Sequence, residues 1–405
     1  MVYGYILFAC LAFTSLGCRD DQKATAIVVS DPVQLDSAPG TCPYLTKDQS
    51  DNIVIGWAKA VNDSDFVFCY ALFNQEHGCF ENTITIPATG KIQPHAENLP
   101  KIIFKPSGET LAMWGAANPN PHNKYSGLVY YSQSFDKGKT WSAPKSLVSD
   151  TAGYDQRYYD VALLANGEAA VIWLDNRKTT AKEGSALYYA YTSGNTGFGN
   201  EKIIGEGCCQ CCRTDLFVDQ QANIHVLYRG IIKDSIRDML HTVSVDGGKN
   251  FSSPQLISND NWVIKGCPHT GPSMTENKDG IHFAWFTGGT NKGSFYTQSV
   301  DNGKNFIHHE RISFTGSHPQ ISSFPDGRLA AVWDEPVQLK NKYYKRVGMQ
   351  LRTADGREVV KQFLTADTLT ASYPVIMPAG NKKAVVACSI KKEDKEFVQY
   401  QLINL

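Results

Sequence analysis

The sequence predicts an all-β fold of the β-propeller class with seven four-stranded blades, on three observations. A strand–turn–strand hairpin recurs along the chain, starting about every 47 to 59 residues. Within nearly every copy, the first-strand anchor precedes the residue that closes the second strand by the same step, as Pro319 precedes Trp333. A turn motif containing Asp and Gly follows at least three copies. A period near 50 residues with four short strands per unit indicates sheets stacked radially around an axis.

The clearest hairpin is Ser317–Glu335, with a strand from Pro319, a Pro325-Asp326-Gly327 turn and a buried strand over 329–333. Six further copies align with it. The seven anchors are Pro43, Pro100, Tyr159, Thr214, Pro272, Pro319 and Pro374, and the closing residues are Trp57, Trp114, Trp173, Tyr228, Trp285, Trp333 and Cys388. Six blades are the alternative count. Separate β-sandwiches would not explain the nearly constant step.

The turn motif is best formed at 134–141, which reads S-F-D-K-G-K-T-W, and it recurs at 244–251 and 299–306. Weaker copies lie at 74–80 and 353–357. The motif resembles the Asp box, or BNR repeat, of sialidase-like β-propellers, where it connects the third and fourth strands of a blade. Ser and Asp can cap backbone amides and Gly can take positive φ. The resemblance therefore implies a structural role for the motif.

The N-terminal 17 residues are apolar and are followed by Cys18 and a polar stretch. This arrangement is similar to a bacterial lipoprotein signal, which implies cleavage after residue 17, a lipid on Cys18 and a tether over 18–25. The implied location is the outer membrane or cell surface of a Gram-negative bacterium, with membrane contact through the lipid alone. A plain signal peptide or a membrane anchor helix are the alternatives.

Residues 26–405 are predicted to form a single propeller domain, because no linker or low-complexity tract interrupts the repeats. The strand-like segment 26–33 is predicted to supply the fourth strand of the last blade and so to close the ring. The net charge of −1 gives no sign of nucleic-acid binding. We expect a monomer.

Loops that precede the first strand of each blade and follow the second open on one face, around the central channel. This face is predicted to form a funnel of polar groups that binds a small molecule or glycan. Before the first strands lie Cys42, His95, Glu97, Arg157, Tyr158, residues 208–213, Cys267, His269, His318 and Tyr373; after the second strands lie His122, Asp175, Arg177, Arg229, Asp334 and Glu335.

The resemblance to sialidases implies one possible use of this funnel. Sialidases clamp a sugar carboxylate with three arginines and use a Tyr nucleophile and an acidic residue. The candidates here are Arg157, Arg213 and either Arg177 or Arg229 for the clamp, Tyr158 or Tyr373 for the phenol, and Asp160, Asp175 or Glu335 for the carboxylate. The chain departs from the family at the first blade, with Thr41-Cys42-Pro43 and Asn98-Leu99-Pro100 in place of Arg-Ile-Pro. Whether it hydrolyses or only binds glycans therefore stays open.

The cysteine-rich segment 208–212, C-C-Q-C-C, supports a second hypothesis, a Cu or Zn site. Its candidate ligands are Cys208, Cys209, Cys211, Cys212, Cys267, His269, His95 and His318. Disulfides are the alternative: one inside the segment, one from Cys208 or Cys209 to Cys267, and further pairs Cys42–Cys388 and Cys69–Cys79. A third possibility is a non-catalytic scaffold that binds protein partners.

Overall fold

Each hairpin carries apolar side chains on both faces of its strands, so a sheet can bury both faces only by packing between two other sheets. The computed structural model has this arrangement. It describes Met1 and residues 27–89, 91–121, 123–152, 154–177 and 182–405. The predicted signal segment, Cys18 and the tether lie outside these residues, so lipidation and export stay predictions. No helix in the described part of the chain is long and apolar enough to cross a bilayer.

Two short strands precede five antiparallel four-stranded sheets. The strands before them are β1 (Val28–Val29) and β2 (Val33–Gln34). The first sheet contains β3 (Gly40–Lys47), β4 (Ile53–Ala60), β5 (Phe66–Asn74) and β6 (Cys79–Thr85), followed by a short 3-10 helix, Pro87–Thr89. The second contains β7 (Lys101–Phe104), β8 (Thr110–Ala117), β9 (Gly127–Ser134) and β10 (Lys145–Ser146).

The next three sheets repeat this order. The third contains β11 (Gln156–Leu163), β12 (Ala169–Asp175), β13 (Ser185–Thr192) and β14 (Phe198–Cys208). The fourth contains β15 (Asp215–Val218), β16 (Ile224–Arg229), β17 (Met239–Ser244) and β18 (Gln255–Leu256). The fifth contains β19 (Ser273–Asn277), β20 (Gly280–Thr287), β21 (Gly293–Ser299) and β22 (Ile307–Ser313).

The remaining strands form one sheet of nine. It contains β23 (Ser317–Ser323), β24 (Leu329–Leu339), β25 (Lys342–Arg352), β26 (Glu358–Phe363), β27 (Thr370–Pro378), β28 (Lys383–Lys392) and β29 (Lys395–Asn404), with β1 and β2 paired to β29. The prediction of seven separate four-stranded sheets is therefore corrected. The described residues form five such sheets, and copies six and seven are joined because Lys345 of β25 bridges Thr370 of β27.

The predicted pairing of the two chain ends is confirmed. Val28 and Val29 pair with Asn404 and Ile403, and Val33 pairs with Tyr400. The N-terminal segment thus covers the outer edge of the last strand, and it does so with two short strands in place of one continuous strand. Pairing the ends removes an exposed sheet edge.

The three well-formed Asp boxes connect the third and fourth strands of their sheets, as predicted. In the box after β17, the Ser244 hydroxyl accepts a hydrogen bond from the Gly248 amide at 2.8 Å. The Asp246 carboxylate accepts one from the Asn250 amide at 2.9 Å. Equivalent bonds form in the boxes after β9 and β21. These carboxylates are used in turns on the outside of the ring, so the motif contributes to the fold and not to the funnel.

Two stacked histidines are buried in the fourth sheet. His225 donates from Nε2 to Asp219 at 3.1 Å, so its Nδ1 accepts from Nε2 of His241 at 3.0 Å. Burial, and then the neighbouring His225, lowers the pKa of His241 to about 3. The unfolded chain takes up this proton near pH 6.5 and the folded protein only near pH 3, so stability is lost as the pH falls through that window.

We therefore expect the free energy of unfolding to fall between pH 7 and pH 5, with about 2 kcal/mol of the fall due to His241. Urea unfolding at both pH values measures it, and His241→Asn should flatten the dependence. The exposed His308 offers a control, because His308→Gln should leave the dependence unchanged. Equal pH dependence in His241→Asn and the unsubstituted protein would contradict this account.

Candidate functional site

Four residues of the predicted funnel lie on the same backbone feature, a β-bulge in the first strand of a sheet. Cys42, Tyr158, His318 and Tyr373 have φ values of 58°, 56°, 51° and 51°. At each site, this residue and the anchor that follows face a single residue of the second strand. A bulge redirects a side chain that regular pleating would place on a sheet face. The repeat thereby turns one side chain in each of four units out of its regular position.

These side chains meet residues of neighbouring sheets. Cys42, Arg213, His318 and Tyr373 line one small cavity. The rings of His318 and Tyr373 are 4.0 Å apart between centroids. A second chain of rings runs from Tyr158 through His95 to His269, with centroid separations of 5.8 and 5.5 Å.

Arg213 is buried, and its guanidinium group is held by an ion pair and hydrogen bonds. Its guanidinium pairs with the Glu97 carboxylate at 3.1 Å and donates to the carbonyls of Gly271, Pro272 and Pro319 at 3.2–3.4 Å. Its own amide also donates to Glu97 at 3.0 Å. Arg213 therefore links successive first strands around the axis and has no free edge for a sugar carboxylate. This corrects its predicted place in an arginine clamp.

His318 is held at both ring nitrogens. Nδ1 lies 2.6 Å from the Asp334 carboxylate, and Nε2 lies 3.2 Å from the carbonyl of His269. Asp334 also accepts the Tyr373 amide at 2.8 Å. Burial alone would raise the pKa of Asp334, but His318, Lys345 and the Tyr373 amide together lower it. His318, predicted as a metal ligand, thus positions the loops around Tyr373 and has no nitrogen free for a metal.

Arg157 and Tyr158 form a separate unit. Arg157 makes a two-point pair with Asp155, with Nε at 2.6 Å from Oδ1 and Nη2 at 2.8 Å from Oδ2, and its guanidinium lies 5.1 Å from the centre of the Tyr158 ring. Burial raises the pKa of Tyr158, although Arg157 opposes the shift. A phenol with a raised pKa is a weaker nucleophile at neutral pH. No carboxylate base contacts its hydroxyl among the described residues.

The three carboxylates predicted as acid or base are each held by structural partners. Asp160 pairs with buried Lys101 and accepts the Leu216 amide at 2.7 Å, so it joins the second, third and fourth sheets. Asp175 accepts the Trp173 indole at 3.0 Å and pairs with Arg177 at 2.8 Å.

Glu335 lies inside β24, which continues to Leu339, beyond the predicted strand end. It accepts from Trp333 at 2.9 Å, Ser313 at 2.8 Å and Arg346 at 2.7 Å. Burial alone would raise its pKa, and these hydrogen bonds together lower it.

Arg177 and Arg229, the two alternative arginines of the predicted clamp, are also held by partners within the protein. Arg177 pairs with Asp175 and with Glu201 at 2.9 Å. Arg229 donates to the carbonyls of Arg237, Thr270 and Phe286 and covers the Trp262 ring. The remaining funnel candidate, His122, lies outside the described residues. A sialidase-type arrangement of three free arginines is therefore not formed by Arg157, Arg177, Arg213 and Arg229.

Five of the eight predicted metal ligands come together in two groups. The thiols of Cys209, Cys211 and Cys212 lie within 4.8 Å of one another, and so do the ligand atoms of Cys211, Cys267 and His269. The His95 ring is tilted against that of His269, but its Nδ1 accepts the Glu97 amide at 3.2 Å. Cys208, the last residue of β14, belongs to neither group, although it packs in the same apolar cluster as the other three cysteines of the segment.

Hydrogen bonds from Cys211 and Cys212, opposed by burial, lower the pKa of Cys209. Burial raises that of Cys208.

All nine cysteines in the described part of the chain are free thiols. Strand alternation explains why Cys42 and Cys388 do not pair. Ser389 faces Thr41 at 3.2 Å, so Cys388 points to the opposite face and packs against copy six. Burial raises the pKa of both thiols to about 12. The predicted Cys69–Cys79 bridge fails for another reason: Cys69 faces Thr85 while Cys79 faces Asn74, at opposite ends of the β5–β6 hairpin.

A cavity of about 950 Å³ opens on the funnel face. Three of the predicted funnel residues, Cys42, His95 and Tyr373, line one side of it. Its other wall comes from the β4–β5 and β28–β29 loops and the first residues of the strands that follow them, which contribute Asn62, Asp63, Phe66, Asp394, Lys395 and Glu396. The sequence prediction missed these loops, because it named no residue after the second strand of copy one or copy seven. The polar run N-D-S-D before Phe66 is the signal that a search of every loop on this face would have found.

A smaller cavity of about 570 Å³ lies at the opposite end of the strands. It is lined by hairpin-turn residues such as Asp48, Gln49 and Pro106 and by Met377. None of the predicted site residues lines this cavity, but Val161, which follows Asp160 in β11, does. The two cavities therefore lie on opposite faces of the propeller. The larger one opens on the funnel face, and the smaller one opens on the face that carries the hairpin turns, here called the turn face.

Comparison with known proteins agrees with this architecture. A sequence family described as a BNR repeat-like domain matches residues 83–265. No curated protein sequence matches the chain. A protein of unknown function from Dyadobacter fermentans superposes with a TM-score of 0.53 at 14% identity, covering 94% of this chain and 99% of its own.

Two similar structures have named activities. The polysaccharide lyase Uly1 gives a TM-score of 0.53 at 10% identity, covering 91% of this chain and 90% of its own. A mutant of the NanB sialidase from Streptococcus pneumoniae gives 0.50 at 11% identity, covering 90% and 85%. At these identities the likeness concerns the fold alone. Together with the Asp boxes and the family match over 83–265, it supports a β-propeller fold that carries BNR-like repeats.

Proposed function

We propose that the protein binds a glycan in the 950 Å³ cavity on its funnel face. The observation that carries the proposal is the combination of groups on the cavity wall. Phe66 and Tyr373 offer aromatic surface for the apolar face of a sugar ring, and Asn62, Asp63, Asp394 and Glu396 offer acceptors for its hydroxyls. The volume falls in the range of about 300–1,000 Å³ that is usual for small-molecule sites.

Binding is favoured over sialidase-type hydrolysis by the state of the predicted catalytic groups. Asp160, Asp175 and Glu335 are each committed to buried partners, and so are Arg213 and Arg177. An acid or base in glycoside hydrolysis needs an open approach to the glycosidic oxygen or to water. The carboxylates that remain accessible in the cavity, Asp63 among them, suit hydrogen bonding to neutral sugars better than capture of an anionic one.

A glycan array tests this proposal. The purified protein should retain a subset of glycans, and Tyr373→Ala and Asp63→Ala should each weaken binding by at least about tenfold, the usual effect of losing an anchoring contact. Asp63 is exposed, so its removal should leave the fold intact. Gln49→Ala, in the cavity of the turn face, is the matched control and should bind normally. Failure to retain any glycan, or equal binding by all variants, would refute the proposal.

We also propose that the nine-stranded sheet acts as two blades, which makes seven around the axis. A single residue pair, Lys345 with Thr370, joins its two halves, whereas neighbouring strands within each half pair over many residues. Each half also repeats the hairpin and the bulge at its first strand. An experimental structure with extended β25–β27 pairing would contradict this count.

A further inference from the structure

The cysteine-rich segment forms a tight loop between the third and fourth sheets. The loop follows β14 and precedes β15, and the Cys209 amide donates to the Arg229 carbonyl at 2.8 Å. Cys209, Cys211 and Cys212 are all buried, with at most 4% of their surface exposed. Three free thiols gathered in one buried loop are far more than packing requires, because a buried cysteine otherwise behaves as a small apolar residue.

The spacing of these thiols suits a metal ion. Sγ of Cys209 lies 3.7 Å from Sγ of Cys211 and 3.9 Å from Sγ of Cys212. With metal–sulfur bonds of about 2.3 Å, these separations correspond to S–metal–S angles of about 107° and 116°. The first angle lies just below the tetrahedral value, and the second lies between the tetrahedral and the trigonal value. The loop therefore already has the shape of a three-sulfur coordination site.

A second group connects this site to the surface. Cys211 also lies within 4.8 Å of the ligand atoms of Cys267 and His269. Cys267 is exposed, and Nδ1 of His269 is buried without a hydrogen-bond partner. A buried ring nitrogen without a partner carries a desolvation cost that a ligand would offset. Cys211 belongs to both groups and is thus the link between outside and inside.

We propose that Cys209, Cys211 and Cys212 bind one Cu(I) ion, and that Cys267 and His269 deliver it to them through Cys211. Delivery is a ligand exchange without change of oxidation state. The ion binds first to the Cys267 and Cys211 sulfurs and the His269 nitrogen, and then exchanges Cys267 and His269 for Cys209 and Cys212. Each coordinating thiol releases its proton to solvent as its metal–sulfur bond forms, and the departing Cys267 thiolate takes up a proton from solvent.

Ligand type and number favour Cu(I) over Zn(II). Thiolates are soft ligands that select Cu(I), whereas structural zinc sites have four protein ligands. Within the described residues, no fourth Cys, His, Asp or Glu ligand atom joins the inner group. The positive charges of Arg229 and Arg237 act on Cys209 and offset part of the negative charge of three thiolates. This site is separate from the glycan cavity and stands independently of the proposed glycan binding.

The first experiment measures affinity. The full chain, fully reduced and kept anaerobic, is titrated with Cu(I) in competition with a coloured Cu(I) chelator. We expect one ion per chain, and X-ray absorption should show sulfur neighbours only. Cys211→Ser and Cys209→Ser should each weaken binding by more than about 100-fold. Cys79→Ser, at a half-buried thiol of the first sheet, is the matched control and should bind as the unsubstituted protein does.

The second experiment separates delivery from holding. Cys267→Ser and His269→Ala should slow Cu(I) loading by at least about tenfold while changing Kd by less than about threefold. Both residues lie in a loop outside the strands, so these variants keep the test valid if the Cys209 or Cys211 variants fail to fold. Stoichiometry well below one in reduced protein, tighter binding of Zn(II) than of Cu(I), a disulfide within 208–212 that resists reductant, or unchanged loading in Cys267→Ser would each overturn the proposal.

Discussion

Arg213→Ala is expected to lower the free energy of unfolding by about 3–5 kcal/mol, because it leaves the buried Glu97 carboxylate without its charged partner. Glu97 is 1% exposed and would retain only the amide of residue 213. The substitution also removes donors from the carbonyls of Gly271, Pro272 and Pro319. These carbonyls belong to two other repeat copies, so the loss is spread across the centre of the ring.

Guanidinium-induced unfolding followed by tryptophan fluorescence measures the effect. Arg357→Ala is a matched control, since it removes another ion-paired arginine whose side chain is 76% exposed. It should cost less than about 1 kcal/mol, as exposed pairs do. A loss for Arg213→Ala as small as that for Arg357→Ala would show that the central pair is not structural and would reopen its role in ligand binding.

Trp333→Ala is expected to cost about 3–5 kcal/mol, the range for a large aromatic residue removed from a packed core. The Trp333 indole is fully buried between Gly316 and Gly348. A Cβ atom at either glycine would come within 2.4 Å of the ring, so the two glycines leave a slot that only the indole fills. The indole N–H also donates to Glu335 at 2.9 Å, and this bond would be lost too.

Tyr343→Ala provides the comparison for Trp333→Ala. Tyr343 lies on β25 of the same sheet and is 72% exposed, so its loss should change stability by less than about 0.5 kcal/mol. Thermal unfolding by circular dichroism should place the two variants well apart. Similar midpoints for both would mean that the closing aromatic of the repeat is not a core residue.

The repeat could be predicted from the sequence because its physical requirements involve residues that are close together in the chain. A buried strand needs a short continuous run of apolar residues, a turn needs Gly and Asp, and the closing position needs a large aromatic such as Trp57, Trp173 or Trp333. The same locality explains the Asp boxes, whose hydrogen bonds all fall within seven residues. The pairing of the N-terminal segment with β29 followed from the missing fourth strand of the last copy.

The roles of the funnel residues could not be predicted from the sequence in this way. Arg157, Arg213 and Asp160 have the chemistry of a catalytic site, yet the partners that occupy them are Asp155, Glu97 and Lys101. Two of these pairs join residues more than 50 positions apart in the chain. No local pattern encodes such a pairing, so residue type alone could not separate a free arginine from a structural one.

The sequence by itself determined the all-β propeller fold, the face on which polar groups gather and the segment that gathers thiols. Only the tertiary structure decided which of those groups are free. Strand alternation turned Cys388 away from Cys42, a bulge placed His318 against Asp334, and the loop after β14 brought Cys209, Cys211 and Cys212 together without Cys208. The physical reason is that secondary structure depends on neighbours in the chain, whereas the availability of a side chain depends on groups that folding brings from other blades.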